Sequence, residues 1–150
     1  MKRRKSREYA LQFLYRIDFL DDTSNNAVSD AQINNDMYAA VNTFWHETGE
    51  KDPHIKSFAE DIIKGTIKHL GDLDKLIQEV AEHWKLSRIA SVDRNILRAA
   101  VYELLHRKDI PSAVTINEAL EIAKKYSTAE SASFINGILD KISKEHCAGN

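Results

Sequence analysis

Apolar residues recur at intervals of three and four positions along nearly the whole chain, which is the spacing of one face of an α-helix. No segment shows the strict alternation of apolar and polar residues that is typical of a half-buried strand. The 150 residues include only two prolines and five glycines, so few positions would interrupt a helix. The sequence therefore predicts an all-α protein.

Seven apolar stripes predict about seven helices. Between Val92 and Leu105 the apolar residues surround the helix, so we expect this helix to be central and contacted on several sides. We expect one domain, residues 1–150, with helical halves of about 1–84 and 85–150. The fourth stripe consists of Leu73, Leu76, Ile77, Val80, Ala81 and Trp84. The residues predicted to be buried are Ile62, Leu97, Leu104, Leu120 and Leu139.

Polar residues next to the stripes predict where helices begin and end. An Asp before a Pro can cap a helix, and a Ser or Thr followed three positions later by Glu fits a capping box. Gly71 can end one helix and Asp72 can cap the next, while Ser91 is a candidate N-cap. The other capping pairs are Asp52 with Pro53, Thr115 with Glu118, and Ser127 with Glu130. The polar, Asn-rich stretch from Asp21 to Asp30 is predicted to be a long connection.

Positive charge is concentrated at the start of the chain. Five of the first seven residues are cationic and none is acidic, whereas the whole chain has 21 Lys and Arg against 23 Asp and Glu. A basic segment attached to an acidic body is typical of proteins that bind phosphate-bearing partners, because each bound phosphate releases counterions. The segment leads into an apolar stripe, so it is either the start of a helix or a disordered basic tail. The cationic residues are Lys2, Arg3, Arg4, Lys5 and Arg7.

Several classes of protein are disfavoured. The sequence has no glycine-rich phosphate loop and no glycine-flanked nucleophilic serine, so we expect no catalytic residues and no cofactor. The six histidines do not occur at metal-ligand spacing, so we expect no metal site. No apolar run approaches the ~20 residues needed to cross a bilayer, and no signal peptide is recognisable. The single Cys147 cannot form an internal disulfide, which favours the cytoplasm.

The first stripe also suggests a binding surface. Arg4 and Tyr15 are separated by about three helical turns and therefore fall on one side of a helix, with Arg7 beside them. Such a surface offers phosphate contacts next to an aromatic ring on which an unpaired base could stack. The alternative for Tyr15 is that its ring simply packs at the edge of the core while its hydroxyl faces water.

The last third of the chain resembles the family of the transcription antitermination factor NusB. The motifs that carry this resemblance occur in order from Val92 onwards, and the opening RRKSREYALQFLY resembles the Arg-rich first helix of that family. The C-terminal motifs are VDRNILR, YEL, DIP, INEA, EIAK and FINGILD. We expect Gly137 in the last of these motifs to allow another helix to approach closely.

The resemblance implies a fold and a function. Proteins of this family are built from two three-helix bundles and have no catalytic activity. They bind a short single-stranded boxA element in nascent RNA together with NusE, a ribosomal protein of the small subunit. The complex joins the elongating RNA polymerase in the bacterial cytoplasm and suppresses premature termination, notably on ribosomal RNA operons.

The resemblance also implies site residues. Two groups would form the RNA-binding surface, one on the first helix and one around the last turn between helices. The NusE surface would include Asp93 and Arg94 at the start of the central helix. Because Glu130 is acidic, it would restrain RNA affinity by repulsion. The predicted RNA-binding residues are Arg3, Arg4, Arg7, Tyr15, Tyr126, Glu130 and Phe134.

Two other functions are considered. A NusB-like domain precedes the catalytic domain of some ribosomal RNA cytosine methyltransferases, but the 150 residues leave no room for that second domain, so we expect no methyl transfer. The other alternative is a helical adaptor or homodimer without a direct role in RNA binding. The basic segment and Tyr15 argue against this adaptor.

Overall fold

The apolar stripes form helices in the computed structural model, as the periodicity predicts. The structure describes the backbone of residues 2–21 and 30–147 and the side chains of residues 2–18 and 36–147. These residues form seven α-helices and one 3₁₀ turn, with no strand among them, so the predicted fold class is confirmed. The helices are α1 (Lys2–Asp21), α2 (Asp30–Thr48), α3 (Pro53–Lys68), α4 (Leu70–Ala81), α5 (Ser91–His106), α6 (Ser112–Tyr126) and α7 (Ala129–His146). Of the connection predicted from Asp21 to Asp30, the two end residues belong to α1 and α2, and residues 22–29 lie outside the described residues.

Contacts divide the chain into two compact units, the first ending at Asp61 and the second beginning at Ile62. The boundary lies within α3, whereas the sequence suggested a division near residue 84. The assignment of helical halves to residues 1–84 and 85–150 stays a prediction.

Aromatic rings and one buried hydroxyl hold the helices of the first unit together. The ring of Tyr9 on α1 meets that of Trp45 on α2 edge to face, with centroids 5.3 Å apart. Phe13 meets Phe44 in the same manner at 5.5 Å. Ser6, which is buried, donates a hydrogen bond of 2.8 Å to the carbonyl oxygen of Ile55 on α3. The basic start of the chain is therefore part of a packed helix, and the alternative of a disordered tail is wrong for residues 2–7.

The second unit packs α4, α6 and α7 against the central α5. Of the five residues predicted to be buried, only Leu120, in the middle of α6, differs, since it is half-buried. Arg98 on α5 forms a bidentate ion pair with Asp74 on α4, with N–O distances of 2.7 and 2.8 Å. Two parallel bonds of this kind fix the relative rotation of the two helices. The four residues confirmed as buried are Ile62, Leu97, Leu104 and Leu139.

Two glycines have structural roles that the sequence did not reveal. Gly49 has a φ of +72° and follows the end of α2, where its amide bonds the Trp45 carbonyl oxygen at 3.0 Å. This left-handed conformation favours glycine. At Gly65 on α3, an added Cβ would collide with the ring of Tyr102 on α5. The predicted close approach at Gly137 is wrong, because an added Cβ there would meet open space.

The predicted helix boundaries are partly wrong. Asp52 caps α3, since its Oδ1 accepts a 2.9 Å bond from the His54 amide, as predicted. In contrast, α6 begins at Ser112, so Thr115 lies within the helix and its buried hydroxyl approaches the Glu103 carboxylate at 3.5 Å. Glu118 is likewise buried within α6 and is not part of a capping box at its start.

Three further boundaries are displaced by one to three residues. Gly71 neither ends a helix nor precedes a cap, because α4 already begins at Leu70 with His69 before it. The cap of α7 is Thr128 rather than Ser127, since the Thr128 hydroxyl accepts a 2.9 Å bond from the Ser131 amide. At α5, Ala90 takes the cap position that was predicted for Ser91.

Candidate nucleic-acid interface

Lys2 and Lys5, at the start of α1, form ion pairs with the segment between α2 and α3. The Lys2 ammonium lies 3.0 Å from Asp52 Oδ2, and the Lys5 ammonium lies 2.9 Å from Glu50 Oε1. The lysine side chains are 64% and 54% exposed, whereas those of Asp52 and Glu50 are 25% and 9% exposed, so each exposed lysine pairs with a less exposed carboxylate. The sequence analysis missed these partners because the residues are distant along the chain.

Glu50 is the centre of a hydrogen-bonded cluster. It accepts bonds from Lys5, from the Tyr9 hydroxyl at 3.0 Å and from the amides of Lys51 and Asp52 at 3.1 Å. The bonds from Lys5, from the Asp52 amide and from Tyr9, in that order of effect, lower the pKa of the Glu50 carboxyl from 4.5 to about 2. The same bond is the largest cause of the raised pKa of Lys5. Both groups are therefore charged around neutral pH.

The guanidinium groups of two arginines share one aromatic ring. The Arg3 guanidinium lies 4.7 Å from the centroid of the Phe58 ring, and that of Arg7 lies 5.2 Å from it. Cations attract the electron-rich face of a ring, so these contacts limit the freedom of both side chains. Arg3 is exposed, whereas Arg7 is only 7% exposed. Arg3 can therefore present its charge to a ligand with little rearrangement.

The other two predicted residues of α1 lie at different depths. Arg4 is half-buried, and Tyr15 is 44% exposed, which leaves much of its ring accessible. Because α1 is continuous from Lys2 to Asp21, Arg4 and Tyr15 lie on one side of it, as predicted from their spacing. This side combines a cation with an accessible aromatic ring.

The second predicted group lies around the turn between α6 and α7. Tyr126 ends α6, is 39% exposed, and has the Lys125 ammonium 5.3 Å from its ring centroid. Glu130 is exposed in the first turn of α7, and the half-buried Phe134 follows one turn later. Residues four positions apart lie on the same face of a helix, so Glu130 and Phe134 are neighbours.

The residues predicted to contact a protein partner begin α5, but they are less exposed than the prediction implied. Asp93 lies in the first turn and is only 6% exposed, with its Oδ1 lacking a hydrogen-bond partner among the described residues. A carboxylate is favourable there because it faces the amide groups at the positive end of the helix. Arg94 is half-buried and folds back, donating a 3.3 Å bond to the Leu86 carbonyl oxygen.

One exposed aromatic residue was missed. Trp84 belongs to an apolar stripe, which predicts burial, yet its side chain is 60% exposed and its ring meets that of Phe134 edge to face at 5.9 Å. Helix α4 ends at Ala81, so the helical spacing no longer governs where Trp84 points. The contact between Trp84 and Phe134 could not be predicted from sequence spacing, because the two residues are far apart along the chain.

The described residues were also searched for other kinds of site. No three histidine, cysteine or carboxylate side chains among them lie close enough together to hold a metal ion. Across the same residues, every helix is too short or too polar to span a bilayer.

Comparison with known proteins identifies the family. The sequence model of the NusB family matches residues 4–144. The chain belongs to the NusB family. It is 50% identical, over 151 residues, to the transcription antitermination protein NusB of Thermodesulfovibrio yellowstonii, and the match covers 100% of this chain and 97% of that NusB protein.

Solved structures support the same family fold. The NusB protein of T. maritima is 41% identical and superimposes with a TM-score of 0.79, covering 96% of this chain and 92% of that one. A chain in the crystal structure of the antitermination factors NusB and NusE in complex with dsRNA superimposes with a TM-score of 0.78 at 24% identity. That match covers 96% of this chain and 97% of the other chain, and at this identity it supports the fold alone.

Proposed function

We propose that this protein is a transcription antitermination factor that binds a boxA-type single-stranded RNA together with NusE and joins the elongating RNA polymerase complex. It acts by binding rather than by catalysis, in the bacterial cytoplasm and notably on ribosomal RNA operons. Membership of the NusB family and the solved complex of a NusB with NusE and RNA support this proposal.

The observation that carries the proposal is the combination of charge and aromatic surface on α1. The exposed Arg3 is held over the Phe58 ring at 4.7 Å, and Tyr15 on the same helix is 44% exposed. An arginine contacts phosphates in any sequence, whereas an accessible ring stacks on unpaired bases. Arg4 adds a second cation, while the burial of Arg7 makes its contribution the smallest of the three arginines.

The second predicted group would offer Tyr126 and Phe134 to the RNA as apolar contacts. Glu130 would reduce affinity for RNA in general, since it places a negative charge beside phosphates. NusE would bind near the start of α5, where Asp93 and Arg94 lie.

The test is a titration of labelled boxA-type RNA with the full chain, with and without purified NusE. We expect NusE to tighten binding and a scrambled RNA to bind more weakly. Changing Tyr15 to alanine should cost about 1–3 kcal/mol if a base stacks on its ring. Tyr38→Ala on α2 is the matched control, because Tyr38 is 61% exposed and lies outside both predicted groups. Equal binding by both variants and the wild-type protein would contradict the proposed role of Tyr15.

A further inference from the structure

Trp84 presents a large apolar ring to solvent at a defined position. Its side chain is 60% exposed, although tryptophan is mostly buried in folded proteins. The indole is not isolated, since its ring lies 5.9 Å from that of Phe134 at an interplanar angle of 70°. The two rings therefore meet edge to face, and much of the Trp84 indole remains accessible to solvent.

The backbone of Trp84 is held by the side chain of Gln78 on α4. The Gln78 amide nitrogen donates a 2.7 Å bond to the Trp84 carbonyl oxygen, and its oxygen accepts a 2.8 Å bond from the Leu86 amide. The Trp84 amide also bonds the Ala81 carbonyl oxygen at 3.0 Å. The exposed ring is therefore carried by an ordered segment, so little conformational entropy would be lost when a ligand binds it.

The segment around Trp84 carries exposed cations as well as acids. Lys85 and Arg88 follow Trp84 in the chain and are both exposed. On α7, Lys141 lies 3.8 Å from Glu82, and a second exposed acid, Glu130, lies one turn before Phe134. Cations beside an accessible aromatic ring match the phosphates and bases of a single-stranded nucleic acid.

We propose that Trp84, supported by Phe134, is a stacking platform for an unpaired base of the bound RNA. This inference rests on the proposed RNA-binding function and extends its surface by a residue outside the predicted group. Two observations favour RNA over a protein partner. The ring contacts Phe134, which the family resemblance places at the RNA, and the nearby exposed cations suit phosphates.

Substitution of Trp84 tests the platform directly. Loss of one stacked base should weaken boxA-type RNA binding about five- to one-hundred-fold in Trp84→Ala, with the salt dependence unchanged because no phosphate contact is removed. Trp84→Phe keeps an aromatic face and should retain most of the affinity. Tyr38→Ala is the control, since it removes a ring of similar exposure from α2. Circular dichroism should show that all variants remain helical.

Fluorescence quenching provides an independent measurement without substitution. The protein has two tryptophans, and Trp45 is only 6% exposed, so iodide at constant ionic strength should quench mainly Trp84 in the free protein. Saturating boxA-type RNA should protect Trp84 from iodide if a base covers the ring.

The possible results separate the platform from the proposed function. Wild-type protein that binds RNA, with Trp84→Ala binding equally well and Trp84 still quenched in the complex, would overturn the platform alone. Loss of NusE binding by Trp84→Ala, with RNA binding intact, would also overturn it and assign the ring to a protein contact. If the wild-type protein bound no boxA-type RNA with or without NusE, both the proposed function and the platform would be refuted.

Discussion

Lys5 and Glu50 form an ion pair in which Nζ lies 2.9 Å from Oε1. This pair, with the similar pair of Lys2 and Asp52, places two carboxylates beside the basic start of α1. The cations that the sequence assigns to phosphate binding are thus partly neutralised within the free protein. An RNA phosphate that reaches Lys5 must compete with Glu50.

Removal of the Glu50 charge should therefore strengthen RNA binding. In Glu50→Gln, Lys5 becomes available to a phosphate, and each additional contact should steepen the dependence of log K on log salt by about 0.7. Glu47→Gln is the matched control, because it removes an equal charge that pairs with Arg16, at 2.9 Å, further along α1. RNA titrations at several salt concentrations provide the measurement. Weaker binding by folded Glu50→Gln would show that the pair orients Lys5 for RNA rather than competing with it.

The same pair should make stability depend on acid pH. The pKa of Glu50 is about 2 in the folded protein, below its ordinary value of 4.5. The ionised carboxylate therefore contributes stability above pH 4.5, and that contribution is lost as the pH falls from 4.5 towards 2. Chemical denaturation at several pH values in this range should show that the free energy of unfolding falls less steeply with decreasing pH in Glu50→Gln than in the wild-type protein. Identical pH profiles for the two proteins would mean that the pair adds nothing to stability.

Gly65 should be far less tolerant of substitution than Gly137. A Cβ at Gly65 collides with the Tyr102 ring, and overpacking of this kind typically costs about 1–3 kcal/mol. At Gly137, within α7, an added Cβ meets open space, so alanine should stabilise the helix by up to about 1 kcal/mol. Thermal or urea unfolding of the two alanine variants gives the comparison. A Gly65→Ala protein as stable as wild type would mean that the Tyr102 ring moves aside without cost.

Asp93→Asn should weaken the association with NusE while leaving RNA binding by the isolated protein nearly unchanged. The substitution preserves the shape of this 6%-exposed side chain and removes only its charge, whereas a lysine would also disturb the packing. Loss of a first-turn carboxylate should itself cost only about 0.3–1 kcal/mol of stability. Asp72→Asn in the first turn of α4 controls for this helix effect. Equal losses of NusE binding in both variants would contradict a specific role for Asp93.

The helices and much of the core could be predicted from the sequence because both depend on residues that are close along the chain. The buried positions Leu97, Leu104 and Leu139 follow from helical spacing alone. The Asp52 cap was likewise predictable, because its partner is the amide of His54, two residues away.

Features that depend on distant residues could not be predicted. Thr115 resembles a cap in sequence, but its hydroxyl lies within 3.5 Å of the Glu103 carboxylate on the preceding helix. The requirement for glycine at position 65 arises only because Tyr102 crosses there. In the candidate site, the arginines of α1 were recognisable by charge, whereas the contact of Arg3 with the Phe58 ring joins residues that are far apart along the chain.

The most direct test of the account is the salt dependence of RNA binding by an Arg3→Ala/Arg4→Ala variant. Both residues lie on α1 and are more exposed than Arg7, so their removal should leave the helix folded. Arg16→Ala is the control, because Arg16 lies on the same helix but is paired with Glu47. The account predicts weaker binding to all RNAs and a slope of log K against log salt that is flatter by about 0.7 for each lost phosphate contact. Unchanged affinity and unchanged slope in the double variant would contradict RNA binding through the basic start of α1.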